Sequence, residues 1–273
     1  MPDHAPAPDI DTDPGLTYGD YLKVDELLSL QQLRSNPPEH DELLFIIIHQ
    51  VYELWFKEVL HELDQLIQHL DDDRPALSGH QLERVLTILK TLVAQIDVLE
   101  TMTPVEFVSF RSFLANSSGF QSAQFREIEY TLGVKNPSHL ERFAGNEREG
   151  TNLTRRYHRP SLWDAFCRYV ARQGYDVPAE LLGRDVTRTV EPSTGMQQVL
   201  AEIYHHDAAL ARLCESFTDL DEGLQEWRYR HVMMVQRTIG TKQGTGGSDG
   251  VEYLRSTLFR PAFPDLWAVR SLL

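Results

Sequence analysis

Residues 41–70 run thirty positions without a glycine or a proline. That is too long for a strand, despite the β-branched residues within Phe45, Ile46, Ile47 and Ile48. Leu44, Ile48, Tyr52, Trp55, Val59, Leu63, Leu66 and Leu70 recur every three or four positions and form one continuous apolar stripe. The spacing predicts a single long helix, with Asp41 as its N-cap and Glu42 in its first turn. Asp71, Asp72, Asp73, Arg74 and Pro75 close it.

A helix of that length needs partners along its whole apolar stripe, and the rest of the chain supplies them. A second helix is expected over about 78–101, striped by Leu82, Val85, Leu89, Leu92, Ile96 and Leu99. Thr103-Pro104 opens a third that runs to about Leu114, since proline is welcome in a first turn. Asn116 to Gly119 reads as a turn, and a fourth helix follows to about Leu132. Upstream, 16–33 reads as an aromatic turn that becomes helical from about Lys23. Gly145 to Pro160 reads as a charged loop, and Leu162 to Gln173 as a helix ended by Gly174. Met196 to Phe217 and 220–239 read as two further helices, and the tail as a short helix with a last apolar turn. No stretch alternates polar and apolar residues. The expected class is mainly α, with long antiparallel helices around one core. Residues 1–14, rich in Pro and Asp, are expected to be a flexible extension, and 15–273 a single all-α domain.

Composition narrows the function. A hydrophobic share of 41% allows a sizeable core. A net charge of −15 disfavours a nucleic-acid partner. The longest apolar run, Leu43 to Ile48, is far too short to span a bilayer, and the N-terminus lacks the basic start and apolar segment of a secretory signal. No membrane association and a cytoplasmic location are therefore expected. Cys167 and Cys214 form no CxxC and no haem-attachment motif, and read as small buried hydrophobes. The basic cluster Arg155, Arg156, His158 and Arg159 reads as a solvated loop.

Several side chains could do chemistry. On a helical wheel Leu224, Trp227, Met234, Val235 and Thr238 fall around His231, while Glu226, Arg230 and Arg237 fall opposite. His231 is thus either a satisfied core histidine or a metal ligand. Phe45 and His49, four apart, share a face beside the long stripe, either as a half-buried pair or as a pocket imidazole beside an aromatic ring. Phe107 and Arg111 are likewise four apart, suited to an aromatic substrate with a carboxylate, or equally to a surface ion pair. The loop GTGGSDG (244–250) follows a helix and lacks a phosphate-binding lysine, so nucleotide readings fail. Its glycines allow close backbone approach to a ligand and Thr245 adds a hydroxyl; a flexible linker has the same composition. Glu58-x-x-His61 and Glu202-x-x-His205 repeat the spacing of di-iron carboxylate bundles. Both histidines fall away from their apolar stripes, whereas His206 points at the core on the same wheel.

The segments LTYGDYLKVDELLSLQ, HDELLFIIIHQVYELWFKEVLHEL, MTPVEFVSFRSFLANSSGFQSAQFREIEY and WRYRHVMMVQRTIGTKQGTGGSDGVEYL closely resemble the tryptophan 2,3-dioxygenases. They cover roughly 16–133 and 224–256; 134–223 matches only in helical character. The resemblance implies a haem-binding helical bundle assembled as a homotetramer, with haem b in each subunit and O2 as co-substrate. It implies the opening of the indole ring of L-tryptophan at C2–C3 to N-formylkynurenine, the first step of the kynurenine pathway. By position, His231 resembles the axial ligand of the haem iron and His49 the catalytic distal histidine. Phe45 and Phe107 resemble the indole walls, within a substrate-binding stretch that includes Ile46, Ile47 and Ile48. Arg111 resembles the carboxylate clamp and Thr245 the partner of the substrate ammonium and carboxylate. Tyr18, Tyr21 and Leu22 match a segment lent to a neighbouring subunit's site, and Ser118 lies in the matched turn. Phe107 stands where many bacterial members carry Tyr, so the hydroxyl is lost there. A haem dioxygenase for another indole amine, a non-catalytic haem sensor, and the di-iron bundle remain the alternatives.

Overall fold

A computed structural model describes residues 15–115, 117, 119–240, 242 and 251–273. Two short helices, α1 (Tyr18–Leu22) and α2 (Val24–Leu28), precede the long α3 (His40–Asp71). Next come α4 (Pro75–Leu99), α5 (Pro104–Arg111), α6 (Ala123–Leu132), α7 (Ser138–Phe143), α8 (Glu147–Tyr157) and α9 (Leu162–Arg172). The chain continues with α10 (Ala179–Leu182), α11 (Thr194–His206), α12 (Ala208–Ile239), α13 (Val251–Ser256) and α14 (Pro264–Ala268). Among the described residues there is no strand, so the fold is mainly α as expected. No described helix is long and apolar enough to cross a membrane.

The expected stripe of α3 faces the core. Ile48, Tyr52, Val59, Leu63, Leu66 and Leu70 are buried, with Leu44 and Trp55 packed against them. The α4 stripe lies against it, and α4 also packs along α12. α6 and α9 pack on α3 from another side, while α5 touches both α3 and α12. The two longest helices, α3 and α12, thus share α4 as a common wall.

The start of α3 differs from the expectation. The cap position is Glu39, not Asp41, and makes no side-chain cap bond. Glu42 instead turns inward and accepts from the Arg34 and Ser35 amides and the Ser35 hydroxyl. That burial of a first-turn acid ties the incoming segment to the helix.

Two expectations about helix boundaries are overturned. Residues 147–157 are helical rather than a charged loop. Asn146 caps this helix by accepting from the Glu149 amide; acids fill its first turn and Arg155 and Arg156 its last, so the charges complement the helix dipole. Gly150 sits inside it because a Cβ there would meet the Phe143 carbonyl at 2.8 Å. The second overturned boundary lies near residue 218. The chain does not break there; it breaks at Asp207, whose carboxylate accepts from the Ala209 and Leu210 amides and starts α12. Thr218 and Asp221 are satisfied without a break: Thr218 donates to the Cys214 carbonyl, and Asp221 accepts from the tail. Since α11 ends at His206, that residue is exposed, not directed at the core.

The basic cluster is also not a solvated loop. Arg156 is buried and forks onto Asp64 of α3, with its Nε donating to Glu127 of α6. Lys135 is buried too, and its ammonium donates to the carbonyls of Arg156, Tyr157 and Arg159 at the end of α8. The cation offsets the negative end of the helix. Cys167 and Cys214 are buried as expected.

Asp221 anchors the tail. Fully buried, it accepts from the Ala262 and Phe263 amides and the Trp267 indole N–H, each at 3.0 Å. Asp221→Ala leaves these donors without an acceptor and is expected to lower the unfolding free energy by about 2–4 kcal/mol in chemical denaturation. A loss within about 0.5 kcal/mol contradicts the anchoring role.

His139 of α7 is buried against Tyr130. Burial first, then the charge of Arg126, pushes it down to about 4 from an ordinary 6.5. The unfolded chain therefore takes the proton first as pH falls. Stability from this group is fully present above about pH 6.5 and is lost as pH falls toward about 4. Denaturation of His139→Gln over that window should show a shallower pH slope than wild type; equal slopes contradict the assignment.

Candidate active site

α3 carries one wall of the site. The His49 ring lies tilted against Phe45, one helical turn away, with ring centroids 4.1 Å apart and planes at 39°. Its Nδ1 lies 2.7 Å from the Phe45 carbonyl oxygen. A carbonyl only accepts, so Nδ1 carries the proton and Nε2 presents a lone pair. Burial lowers the imidazole's proton affinity, against the opposing pull of that carbonyl and of Glu53, so the ring is neutral near pH 7. Phe45 in turn meets Phe107 at 5.8 Å and Phe110 at 5.6 Å, which joins the α3 wall to α5.

α12 carries the opposite wall. Trp227 lies flat on His231, 5.3 Å between centroids and 6° between planes. The face drawn on the wheel is the buried one: Leu224, Trp227 and Met234 are buried, and Val235 packs against them. Burial first, then the His49 ring and Arg126, pushes His231 down to about 4. Its ring is neutral with lone-pair density available, which is the state a metal ligand needs.

Both histidines line one cavity between α3, α4, α6, α12 and α13. Its walls are mostly apolar, with Phe56, Ile96, Phe125, Val232 and Leu254 among them, and Glu53, Arg126, Glu129 and Arg228 supply its charge. A flat apolar macrocycle with acidic edges, whose metal takes one imidazole, fits this donor set. Among the described residues no group of three or more His, Cys, Asp or Glu is placed to hold a metal ion. His61, Glu202 and His205 are exposed, so the di-iron arrangement is not assembled.

The other candidates fall in three places. Phe107 is buried against Phe45 and Phe110, and Arg111 is half-buried as the last residue of α5. Neither lines that cavity; Phe107 meets Phe45, the ring beside His49. Ile46, Ile47 and Ile48 are spread around α3: Ile48 enters the helix core, Ile46 is half-buried and Ile47 is exposed. Helical rotation of about 100° per residue takes Ile47 and Ile48 off the His49 face, whereas Ile46, three positions before His49, stays about 60° from it. Tyr18, Tyr21 and Leu22 are at the surface of the single chain, the tyrosines 78% and 73% exposed, and do not reach the cavity. Thr245 and Ser118 lie outside the described residues.

Three cavity residues carry no mark in the sequence: Arg126 and Glu129 on α6 and Arg228 on α12. Every α6 residue from Phe125 to Leu132 is buried, so the helix has no polar face from which inward charges could stand out. Glu53 and Gln124 are a further unflagged pair; the Gln124 amide donates to the Glu53 carboxylate at 2.8 Å.

The chain compares closely with proteins of known name. The family model described as tryptophan 2,3-dioxygenase matches residues 3–142 and 203–273. The tryptophan 2,3-dioxygenase of Herpetosiphon aurantiacus is 56% identical over 259 residues, covering 94% of this chain and 98% of that protein. That of Anaeromyxobacter dehalogenans is 54% identical, covering 94% and 96%. That of Kineococcus radiotolerans is 47% identical, covering 94% and 91%. With a model spanning most of its length and relatives aligned nearly end to end, the chain belongs to the tryptophan 2,3-dioxygenase family.

Proposed function

We propose that this chain is a haem-dependent dioxygenase that opens the indole ring of L-tryptophan at C2–C3 to give N-formylkynurenine, the entry to the kynurenine pathway. The observation that carries the reading is that His49 and His231, remote in sequence, line the same cavity as neutral imidazoles. Haem b, when bound, supplies the O2 chemistry, and both oxygen atoms end in the product.

His231 would hold the iron. The Trp227 stack fixes the plane of its ring, which limits the orientations a ligand bond can take. His49 has its Nδ1 proton committed to the Phe45 carbonyl, which leaves Nε2 to accept a hydrogen bond from the indole N–H. An indole N–H is a very weak acid and this imidazole is a weak base, so His49 orients the substrate rather than deprotonating it. Phe45 and Phe107 supply aromatic walls, the latter without the hydroxyl that many bacterial family members carry. Arg111 offers a planar fork for the substrate carboxylate, and Thr245 a hydroxyl for the ammonium and carboxylate. Apolar side chains around the cavity exclude water and hold the reactants in register.

The same reading makes the protein a cytoplasmic homotetramer. Leu16, Tyr18, Tyr21, Leu28 and Leu30 are exposed together on the N-terminal arm. An apolar patch of that kind on a single chain supports its docking on a neighbouring subunit. Tyr18, Tyr21 and Leu22 would then complete that neighbour's site.

Two variants test the assignments. Arg111→Ala removes a charge-assisted fork worth about 1.5–3 kcal/mol and should raise the tryptophan KM by about ten- to a hundredfold. An unchanged KM and turnover contradict the clamp. His231→Ala should purify without a Soret band although its helical circular dichroism is retained; a variant that keeps full haem contradicts axial ligation.

A further inference from the structure

The arm that precedes α3 buries little on its own chain. α1 and α2 have no buried residue, and Leu16, Tyr18, Tyr21, Leu28 and Leu30 stand exposed along it. Its root is nevertheless fastened to α3 at two points. The first is Glu42. The Arg34 amide donates to Glu42 Oε1 at 2.8 Å and the Ser35 amide to Oε2 at 2.9 Å, and the Ser35 hydroxyl donates to Oε2 as well. The second is Gln50, whose side chain donates to the Leu30 carbonyl at 3.2 Å and accepts from the Gln31 side-chain amide at 2.6 Å. The two points lie about 12 Å apart along the helix axis. Residues 30–35 therefore run antiparallel to the start of α3 and are held at both ends.

Glu42 is 1% exposed, and its donors all come from Arg34 and Ser35. Burying a carboxylate is costly unless donors fill its oxygens. Helix-end chemistry alone does not account for the donors it takes. A glutamate at the third helical position ordinarily reaches back to the backbone amide of the cap residue. Here the Ser35 hydroxyl accepts from the Glu39 cap amide at 2.8 Å, and Glu42 reaches past it to Arg34 and Ser35. The buried acid is thus committed to fixing where the arm leaves α3.

We propose that Glu42 is a positioning residue that acts on a second copy of this chain: by clamping Arg34 and Ser35 it aims the arm so that Tyr18, Tyr21 and Leu22 reach the neighbouring subunit's site. This rests on the reading that the arm completes a neighbour's site. Glu42 does not line the cavity of its own chain, although Phe45 and His49 follow it on the same helix. An effect carried along α3 to its own site is therefore the rival outcome.

Tyr21→Ala gives the reference for loss of the arm. Glu42→Gln keeps the side-chain volume but turns an amide N–H2 toward backbone donors, and Ser35→Ala removes the hydroxyl. Either variant suffices once its circular dichroism and Soret band match wild type. Each should raise the tryptophan KM by about three- to tenfold, toward the value of Tyr21→Ala. Hybrid assemblies then locate the effect. Glu42→Gln subunits are co-expressed with differently tagged His231→Ala subunits, which keep an intact arm and latch but lack a working haem site, and the mixed species are purified through both tags. All turnover comes from the Glu42→Gln subunits, and some of these receive an intact arm. The hybrids should show a component with the wild-type KM that Glu42→Gln homo-oligomers lack. A single raised KM in the hybrids overturns the inference, because the effect of Glu42 then stays within its own subunit. A wild-type KM in both folded variants, with a raised KM in Tyr21→Ala, also overturns it and leaves the arm reading standing. An unchanged KM in Tyr21→Ala overturns the arm reading and this inference with it.

Discussion

Trp227 is the contact around which the site is assembled. Its indole lies flat on His231 one turn further along α12, and its edges meet Tyr52 and Phe56 of α3 and Phe125 of α6. One buried side chain thus joins three helices and sets the plane of the imidazole between them. Aromatic contacts of this kind are worth about 0.5–1.5 kcal/mol each beyond the area they bury. Their larger effect is geometric. α3 and α12 both lean on α4, and the Trp227 cluster adds a direct aromatic link between α12 and α3.

The two histidines depend on that arrangement for their protonation state. An imidazole in water titrates near 6.5, too close to neutrality to serve reliably as a ligand or acceptor. Burial shifts both downward here, and each ring is then fixed by a neighbour on its own helix: His231 by Trp227, His49 by the Phe45 carbonyl. The neutral form, with a known tautomer at His49, follows from packing rather than from any acid beside it. Three of the charged side chains of the cavity form a different cluster, in which Arg126 and Arg228 both donate to Glu129.

The legibility of these features follows from where their partners lie. α3 was readable because its burial partners impose a stripe on thirty local residues without a helix breaker. His231 and the Phe45–His49 pair were readable for the same reason, as faces of a helix. α8 was not, because its inward charges are answered far away, Arg156 by Asp64 and Glu127, and a charged run without its partners resembles a solvated loop. The continuity of α12 across Thr218 and Asp221 depends on bonds met by the helix itself and by the distant tail, which local periodicity does not carry. Arg126 and Glu129 were invisible because α6 is buried all round, and periodicity needs a wet face for contrast. Tyr18, Tyr21 and Leu22 were candidates through the resemblance alone; in a single chain they are surface residues.

The central claim is that two neutral imidazoles face each other across a cavity that takes a haem and an indole together. The visible absorption spectrum of the purified full chain, reconstituted with haem and recorded before and after addition of L-tryptophan, tests it most directly. The account predicts a Soret band that shifts when tryptophan enters beside the cofactor. A folded protein that forms no Soret band, or whose band is indifferent to saturating tryptophan, contradicts it.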